Sequence, residues 1–253
     1  MLLLRNLIYW LFLCIFSLVW IFVVIVSMVL PNGVTWTTTF WGKTLFWMLK
    51  HIIGLKYEVI GQENIPKESG IICCKHQSGW ETLAMLDFFP DVAFVAKKEL
   101  FMIPIFGWAL KWRGTIGIDR SNPRSANQQI FKQGKICHDK GMWICIFPEG
   151  TRIKPGYRGH YKKGAARLAQ HLHINLIPIA LNSGEFWPKD SFLKYPGKIT
   201  VVIGKPVSYD AAATPEELIR ICEEWIEDTQ FDIQGVGPFA PVKLQEPTPI
   251  IPH

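Results

Sequence analysis

The chain has 253 residues, a net charge of +6, 49% hydrophobic and 19% charged residues. The length limits it to one ordinary domain with an appendage, or two small domains. Only Arg5 of the 27 Lys and Arg precedes Lys43, so the basicity belongs to the later part of the chain. No basic–aromatic repeat or nucleic-acid motif accompanies it. This argues against nucleic acid as a partner and for anionic lipid headgroups, a phosphorylated substrate or an acidic carrier protein.

From Leu7 to Leu30 there are 24 positions without a charge, mostly Leu, Ile, Val, Phe and Trp. At about 1.5 Å per residue such a helix can cover the ~30 Å hydrocarbon core. The run exceeds the ~7–15 residues of a signal-peptide core, and Val29-Leu30-Pro31-Asn32 is a poor cleavage site, so it is expected to be retained. Pro31-Asn32-Gly33 makes a turn. The stretch from Val34 to Leu55 follows, with Trp36, Trp41 and Trp47 interrupted by Lys43, Lys50 and His51. Tryptophans mixed with lysines describe a helix in the headgroup region. Residues 1–56 therefore read as a membrane-anchoring helical hairpin, whose first helix either spans the bilayer or dips into one leaflet. Counting basic residues puts Arg5 on one side and Lys43, Lys50 and Lys56 on the other, which favours a cytoplasmic main domain.

From Tyr57 the pattern alternates. Strands are predicted at Tyr57–Ile60, Gly70–Cys74, Val92–Ala96, Thr115–Ile118, Met142–Phe147, Leu176–Leu181 and Lys198–Ile203. Helices are predicted at Trp80–Phe89, Ile105–Trp112, Pro123–Lys140, Lys163–Leu172 and Pro215–Thr229. This is an α/β domain over residues 57–234, with a mixed, largely parallel sheet flanked by helices. Thr214, Pro215 and Glu217 form a capping box for the last helix. Residues 235–253 hold five prolines and show no period, so they read as a tail that is disordered or laid along the surface. Six cysteines without C-x-x-C spacing read as buried free thiols in a reducing compartment.

Three stretches carry chemistry. In Lys75-His76-Gln77-Ser78-Gly79-Trp80-Glu81, a histidine at a strand-to-helix turn has a carboxylate five residues later. A carboxylate on one ring nitrogen fixes the tautomer and leaves the other nitrogen free to take a proton. Ser78-Gly79-Trp80-Glu81 also matches the capping pattern S-x-x-E, in which Glu81 only caps the helix. In Gly114-Thr115-Ile116-Gly117-Ile118-Asp119-Arg120, Arg120 stands at a strand end before a helix start, well placed for a phosphate. In Phe147-Pro148-Glu149-Gly150-Thr151-Arg152, Glu149 offers an acceptor for hydroxyls and Arg152 a fork for an anion. Lys154, Arg158, His160, Lys162, Lys163 and Arg167 follow, as an anion site or as a solvated face. There is no G-x-S-x-G for a hydrolase and no His/Cys cluster near His76 for a metal.

The histidine with an acidic residue five on, then G-x-x-x-I-D-R, then F-P-E-G-T-R, then an apolar strand with a central proline, resembles the glycerolipid acyltransferase family. Size and hairpin resemble its bacterial members that act on 1-acyl-sn-glycerol-3-phosphate. Two positions depart from the usual N-H-x-x-x-x-D, because Lys75 stands for Asn and Glu81 for Asp. The resemblance implies acyl transfer from acyl-ACP or acyl-CoA, as co-substrate, to the sn-2 hydroxyl of lysophosphatidic acid, a membrane lipid acceptor. It implies His76 and Glu81 as the catalytic pair, Lys98 (or Lys97), Arg120, Glu149, Gly150, Thr151 and Arg152 as substrate-binding residues, and neither a resident cofactor nor a metal. Another lysolipid acceptor, such as lyso-ornithine lipid or lysophosphatidylglycerol, is the nearest alternative, and a non-catalytic lipid-binding protein the more distant one.

Overall fold

The computed structural model describes residues 1–30, 33–104, 106–119 and 123–240. The strands are β1 (Leu55–Ile60), β2 (Ile71–Cys74), β3 (Val92–Lys97), β4 (Ile116–Ile118), β5 (Trp143–Ile146), β6 (Leu176–Leu181) and β7 (Gly197–Ile203). The α-helices are α1 (Leu2–Ser27), α2 (Gly33–Met48), α3 (Trp80–Phe88), α4 (Phe106–Trp112), α5 (Pro123–Asp139), α6 (Gly164–Leu172) and α7 (Pro215–Ile233). The strands form one seven-stranded sheet in the order β1-β7-β6-β2-β5-β3-β4. Every neighbouring pair is parallel except β6 and β7.

The central strands β2, β5 and β6 are buried on both faces, which is why they are continuous apolar runs rather than alternating ones. Within β2 the pleat sends Ile72 and Cys74 into one core and Ile71 and Cys73 into the other. The adjacent cysteines thus face opposite ways, and all six thiols are free, Cys14 exposed and the others buried. Helices α5, α6 and α7 cover one face through Ile130, Leu168, Leu218, Cys222 and Ile226. Helix α7 starts as its sequence dictates, with Thr214 and Glu217 making the reciprocal capping box before Pro215.

The other face is covered by α3 and by the hairpin. Tyr9, Leu45, Phe46, Leu49 and Ile53 belong to the same core as Ile72, Cys74, Trp80 and Ile177. The hairpin is therefore a layer of the domain on its inner side. Trp20 Nε1 donates to Thr37 O at 3.0 Å, and Ser27 and Thr37 hydroxyls meet at 3.2 Å between its two helices. The start of α1 is fastened further: Asn6 donates to Lys194 O at 2.9 Å and accepts from Lys194 N at 2.7 Å. The outer side of α1 exposes Leu11, Leu18 and Phe22, and its length and apolarity suffice to cross a membrane.

One expectation changes. Arg5 Nη1 donates to Ile53 O at 3.4 Å. Two antiparallel helices return the chain to where it began, so Arg5 shares an end with Lys50 and Lys56 rather than lying across from them. Residues 235–240 follow the second of the two expectations for the tail and lie along the surface. Their backbone N–H groups at Gly235, Val236 and Gly237 close on the buried Glu185 carboxylate at 2.7, 3.1 and 2.8 Å. The rest of the tail, 241–253, lies outside the described residues.

Candidate active site

Strands β2, β3, β4, β5 and β6 run in one direction, so their carboxyl ends gather on one edge of the sheet, where ligands bind in open α/β folds. His76 follows β2, Lys97 ends β3, Asp119 follows β4, Phe147 to Arg152 follow β5, and Ser183 follows β6. Motifs far apart in sequence meet there because each is the exit of a parallel strand.

His76 Nδ1 lies 2.9 Å from Glu81 Oε1. The same oxygen accepts the backbone N–H groups of Gln77 and Ser78, both at 2.6 Å. Glu81 Oε2 accepts the hydroxyls of Ser78 at 2.7 Å and Ser183 at 2.8 Å. Helix α3 has Gly79 at its N-cap with no side-chain cap, so the carboxylate that pairs with the histidine fastens the Gln77–Ser78 loop before the helix rather than capping it. Burial alone pushes the Glu81 carboxyl up, but His76 and the Ser78 donors outweigh it and hold the group below the usual glutamate range. It stands ionised, ready to stabilise an imidazolium. The imidazole stacks on Phe147 at 4.0 Å between ring centres and is 18% exposed at its side chain.

The backbone of His76 is held by the F-P-E-G-T-R stretch. Its N–H donates to Glu149 Oε2 at 2.7 Å, and its carbonyl accepts from Ile153 N at 2.7 Å. Glu149 itself is fully buried, with Oε1 3.0 Å from Lys75 Nζ. This corrects its expected role, because a carboxylate with no exposed atom, turned toward a lysine and a backbone amide, does not present an acceptor to a substrate hydroxyl. Gly150 adopts φ 69°, and a Cβ there would meet Lys162 Nζ at 2.9 Å, so glycine is what lets the loop turn.

His76 opens on a cavity of about 1140 Å³. One part of its wall is apolar, with Phe94, Leu100, Phe106, Leu110, Ile118 and Ile130. Another is basic, with Arg152, His160, Lys162, Arg167 and Lys189, and Gly150 and Thr151 also line it. Arg152 is partly engaged by Asp190 at 3.2 Å. Of the two adjacent lysines it is Lys97 that lines this cavity. Lys98 faces a separate hollow and pairs with Asp119, so the preference for Lys98 changes to Lys97. Lys97 ends β3 and Lys98 opens the 3-10 turn that follows, so the two side chains face different hollows. Arg120 lies outside the described residues.

Residues 56–182 match the family model described as Acyltransferase. Over 199 residues the chain is 42% identical to the 1-acyl-sn-glycerol-3-phosphate acyltransferase of Pseudomonas aeruginosa, covering 78% of this chain and 77% of that one. The chain belongs to the acyltransferase family. This acyltransferase is also 33% identical over 157 residues to a chloroplastic 1-acyl-sn-glycerol-3-phosphate acyltransferase of Arabidopsis thaliana, covering 44% of that protein. Its fold is that of the 1-acyl-sn-glycerophosphate acyltransferase of Thermotoga maritima, with a TM-score of 0.76 at 26% identity, covering 92% of this chain and 97% of that one.

Sequence reasoning missed Ser183 and Glu185. Both lie in Asn182-Ser183-Gly184-Glu185, a polar cluster directly after an apolar strand, and that placement was the available signal. It also missed Glu227, which sits on a helix with no local pattern to distinguish it.

Proposed function

We propose that this acyltransferase moves a fatty acyl group from acyl-ACP or acyl-CoA to the sn-2 hydroxyl of lysophosphatidic acid, giving phosphatidic acid. The observation that carries the reading is the His76–Glu81 pair opening on a cavity that is apolar in one part and basic in another. The acceptor's phosphate suits Arg152 and its basic neighbours, and an acyl chain suits the Phe94, Leu100 and Phe106 wall.

In this reading His76 Nε2 takes the proton of the acceptor hydroxyl as its oxygen attacks the thioester carbonyl. The Nδ1–H donates to Glu81, whose charge stabilises the imidazolium. As the intermediate collapses, the new C–O bond stays, the C–S bond breaks, and His76 returns the proton to the departing thiolate. No covalent acyl-enzyme is needed, because the thioester is already activated, and no resident cofactor is proposed.

The protein works at a membrane, on the cytoplasmic face of the cell inner membrane. The exposed apolar face of α1 supports this, as do Arg5, Lys50 and Lys56 gathered at one end of the hairpin. Arg113 Nη1 reaches Thr35 O at 3.4 Å, and the exposed Trp108 and Trp112 precede it, so α4 adds apolar surface beside the hairpin. The test is an acyl-transfer assay on purified protein in mixed vesicles, offering lysophosphatidic acid, lysophosphatidylglycerol and lyso-ornithine lipid with each thioester. Preferential conversion of lysophosphatidic acid is expected. Transfer to the other lysolipids alone would replace the acceptor assigned here.

A further inference from the structure

Lys75 precedes the base in sequence, yet its ammonium takes no part in the chemistry above. It is fully buried: it donates to Glu227 Oε1 at 2.6 Å and to Tyr157 O at 3.3 Å, and it forms an ion pair with Glu149 Oε1 at 3.0 Å. Tyr161 Oη donates to the same Glu227 oxygen at 2.8 Å. Four stretches of chain meet at this ammonium: the exit of β2, the Glu149 loop, the basic loop at 154–163, and α7.

What the cluster touches is specific. The Glu149 carboxylate that Lys75 holds accepts the His76 backbone N–H through its other oxygen at 2.7 Å. Tyr157 and Tyr161 belong to the loop that carries Arg158, His160 and Lys162, and Arg158 is itself tied to α7 through Glu223 at 2.7 Å. We propose that Lys75 and Glu227 are positioning residues for acyl transfer: the Glu149–Lys75–Glu227 bridge sets where the His76 backbone stands and where the basic loop sits beside it. The inference rests on His76 being the base.

The charge balance explains why the bridge needs its cation. The fully buried Glu149 and the partly buried Glu227 share one ammonium, and without it nothing cationic offsets the burial of Glu149. The titratable groups facing Glu149 are Cys74 from β2, Lys75 from the β2–α3 connection, Tyr161 from the basic loop and Glu227 from α7, with Arg158 interacting with Glu227 in turn. Burial pushes the Glu149 carboxyl up, and Lys75 opposes that push. In Lys75→Met the opposition is gone. The Glu149 carboxyl is then pushed further up than in the wild type, which favours its protonated form and weakens the charge that grips the His76 N–H. Raising the pH ionises it again.

The experiment uses full-length protein in vesicles and compares Lys75→Met, Glu227→Gln and the double variant with wild type. Lys75→Met is expected to lower kcat about 10²-fold with little change in KM, as misplacement of a catalytic group does. Its kcat should recover with rising pH more steeply than that of the wild type. In the double variant one carboxylate fewer opposes Glu149, so the recovery should begin at lower pH and part of the loss should be regained. Glu227→Gln keeps an acceptor for Lys75 and should lower kcat several-fold without raising KM. If Lys75→Met does not fold, Glu227→Gln and the double variant carry the same comparison. A pure fold brace would lower Tm and leave kcat and its pH profile superimposable on wild type, and that result overturns the inference. Retained transfer by His76→Ala would instead overturn the reading of the site, and the inference with it.

Discussion

Glu81 holds the His76 ring at 2.9 Å while its carboxylate also accepts Ser78 N, in the loop that leads into α3, at 2.6 Å. The same group thus orients the base and fastens the loop that presents it. Glu81→Gln separates the two roles. Glutamine keeps an oxygen for the backbone donors but carries no charge for an imidazolium. The variant is expected to fold and to lose about 10²- to 10⁴-fold in kcat, the usual worth of general acid–base catalysis. Near-wild-type turnover would refute the pairing.

The same carboxylate makes acid stability readable. Its native form ionises below the usual glutamate range, so between that range and its native value the unfolded chain binds more protons than the folded one. The stabilisation is present above the ordinary glutamate pKa of about 4.3 and is lost as the pH falls through the native value. The difference in Tm between wild type and Glu81→Gln should therefore be largest near neutrality and shrink on acidification. A difference that stays constant with pH would count against an ionised Glu81.

Lys97 and Lys98 offer a direct contrast. Lys97 lines the cavity with His76, and Lys98 pairs with Asp119 beside a different hollow. Lys97→Ala is expected to raise KM for the phosphorylated acceptor about tenfold, the cost of one charge-assisted contact. Lys98→Ala should leave it near the wild-type value. The reverse ranking would return the substrate contact to Lys98.

The hairpin has an inner and an outer face, and they should respond differently. Leu45 is buried in the core shared with Ile72 and Trp80. Leu45→Ala is expected to cost about 2–5 kcal/mol in denaturant unfolding. Replacing Leu11 and Leu18 on the outer face by Ser should leave that stability nearly unchanged and weaken vesicle binding. Because the inner face is core, deleting residues 1–56 would expose Ile72, Cys74 and Trp80 to water and lower stability together with activity. The outer-face variants are therefore the sharper probe of membrane attachment.

Much of the fold was legible because its signals are local. Apolar runs such as Ile71–Cys74 and Leu176–Leu181, bounded by turns, marked strands at nearly their observed limits. The His76, Glu81 and Arg152 placements were legible because each stands at the exit of such a run. What escaped was tertiary. Glu149 reads as a loop carboxylate until its partner Lys75, 74 positions earlier, is seen to turn it inward. Ser183 donates to Glu81 across 102 positions, and Glu227 reaches Lys75 across 152. Single residues at such distances leave no periodic trace. The lysine and tryptophans of α2 suggested a helix at a lipid surface, and its Trp36 and Trp47 are exposed, whereas its Leu45, Phe46 and Met48 are core, since composition does not say which face is covered.

The most direct test is the conversion of lysophosphatidic acid to phosphatidic acid by purified protein in vesicles, with wild type and His76→Ala compared under saturating acyl-ACP or acyl-CoA. Wild type is expected to form phosphatidic acid with the new acyl group at sn-2, and His76→Ala, correctly folded, to lose nearly all of that activity. Equal rates for the two proteins, or no transfer by wild type with either thioester, would contradict acyl transfer at His76.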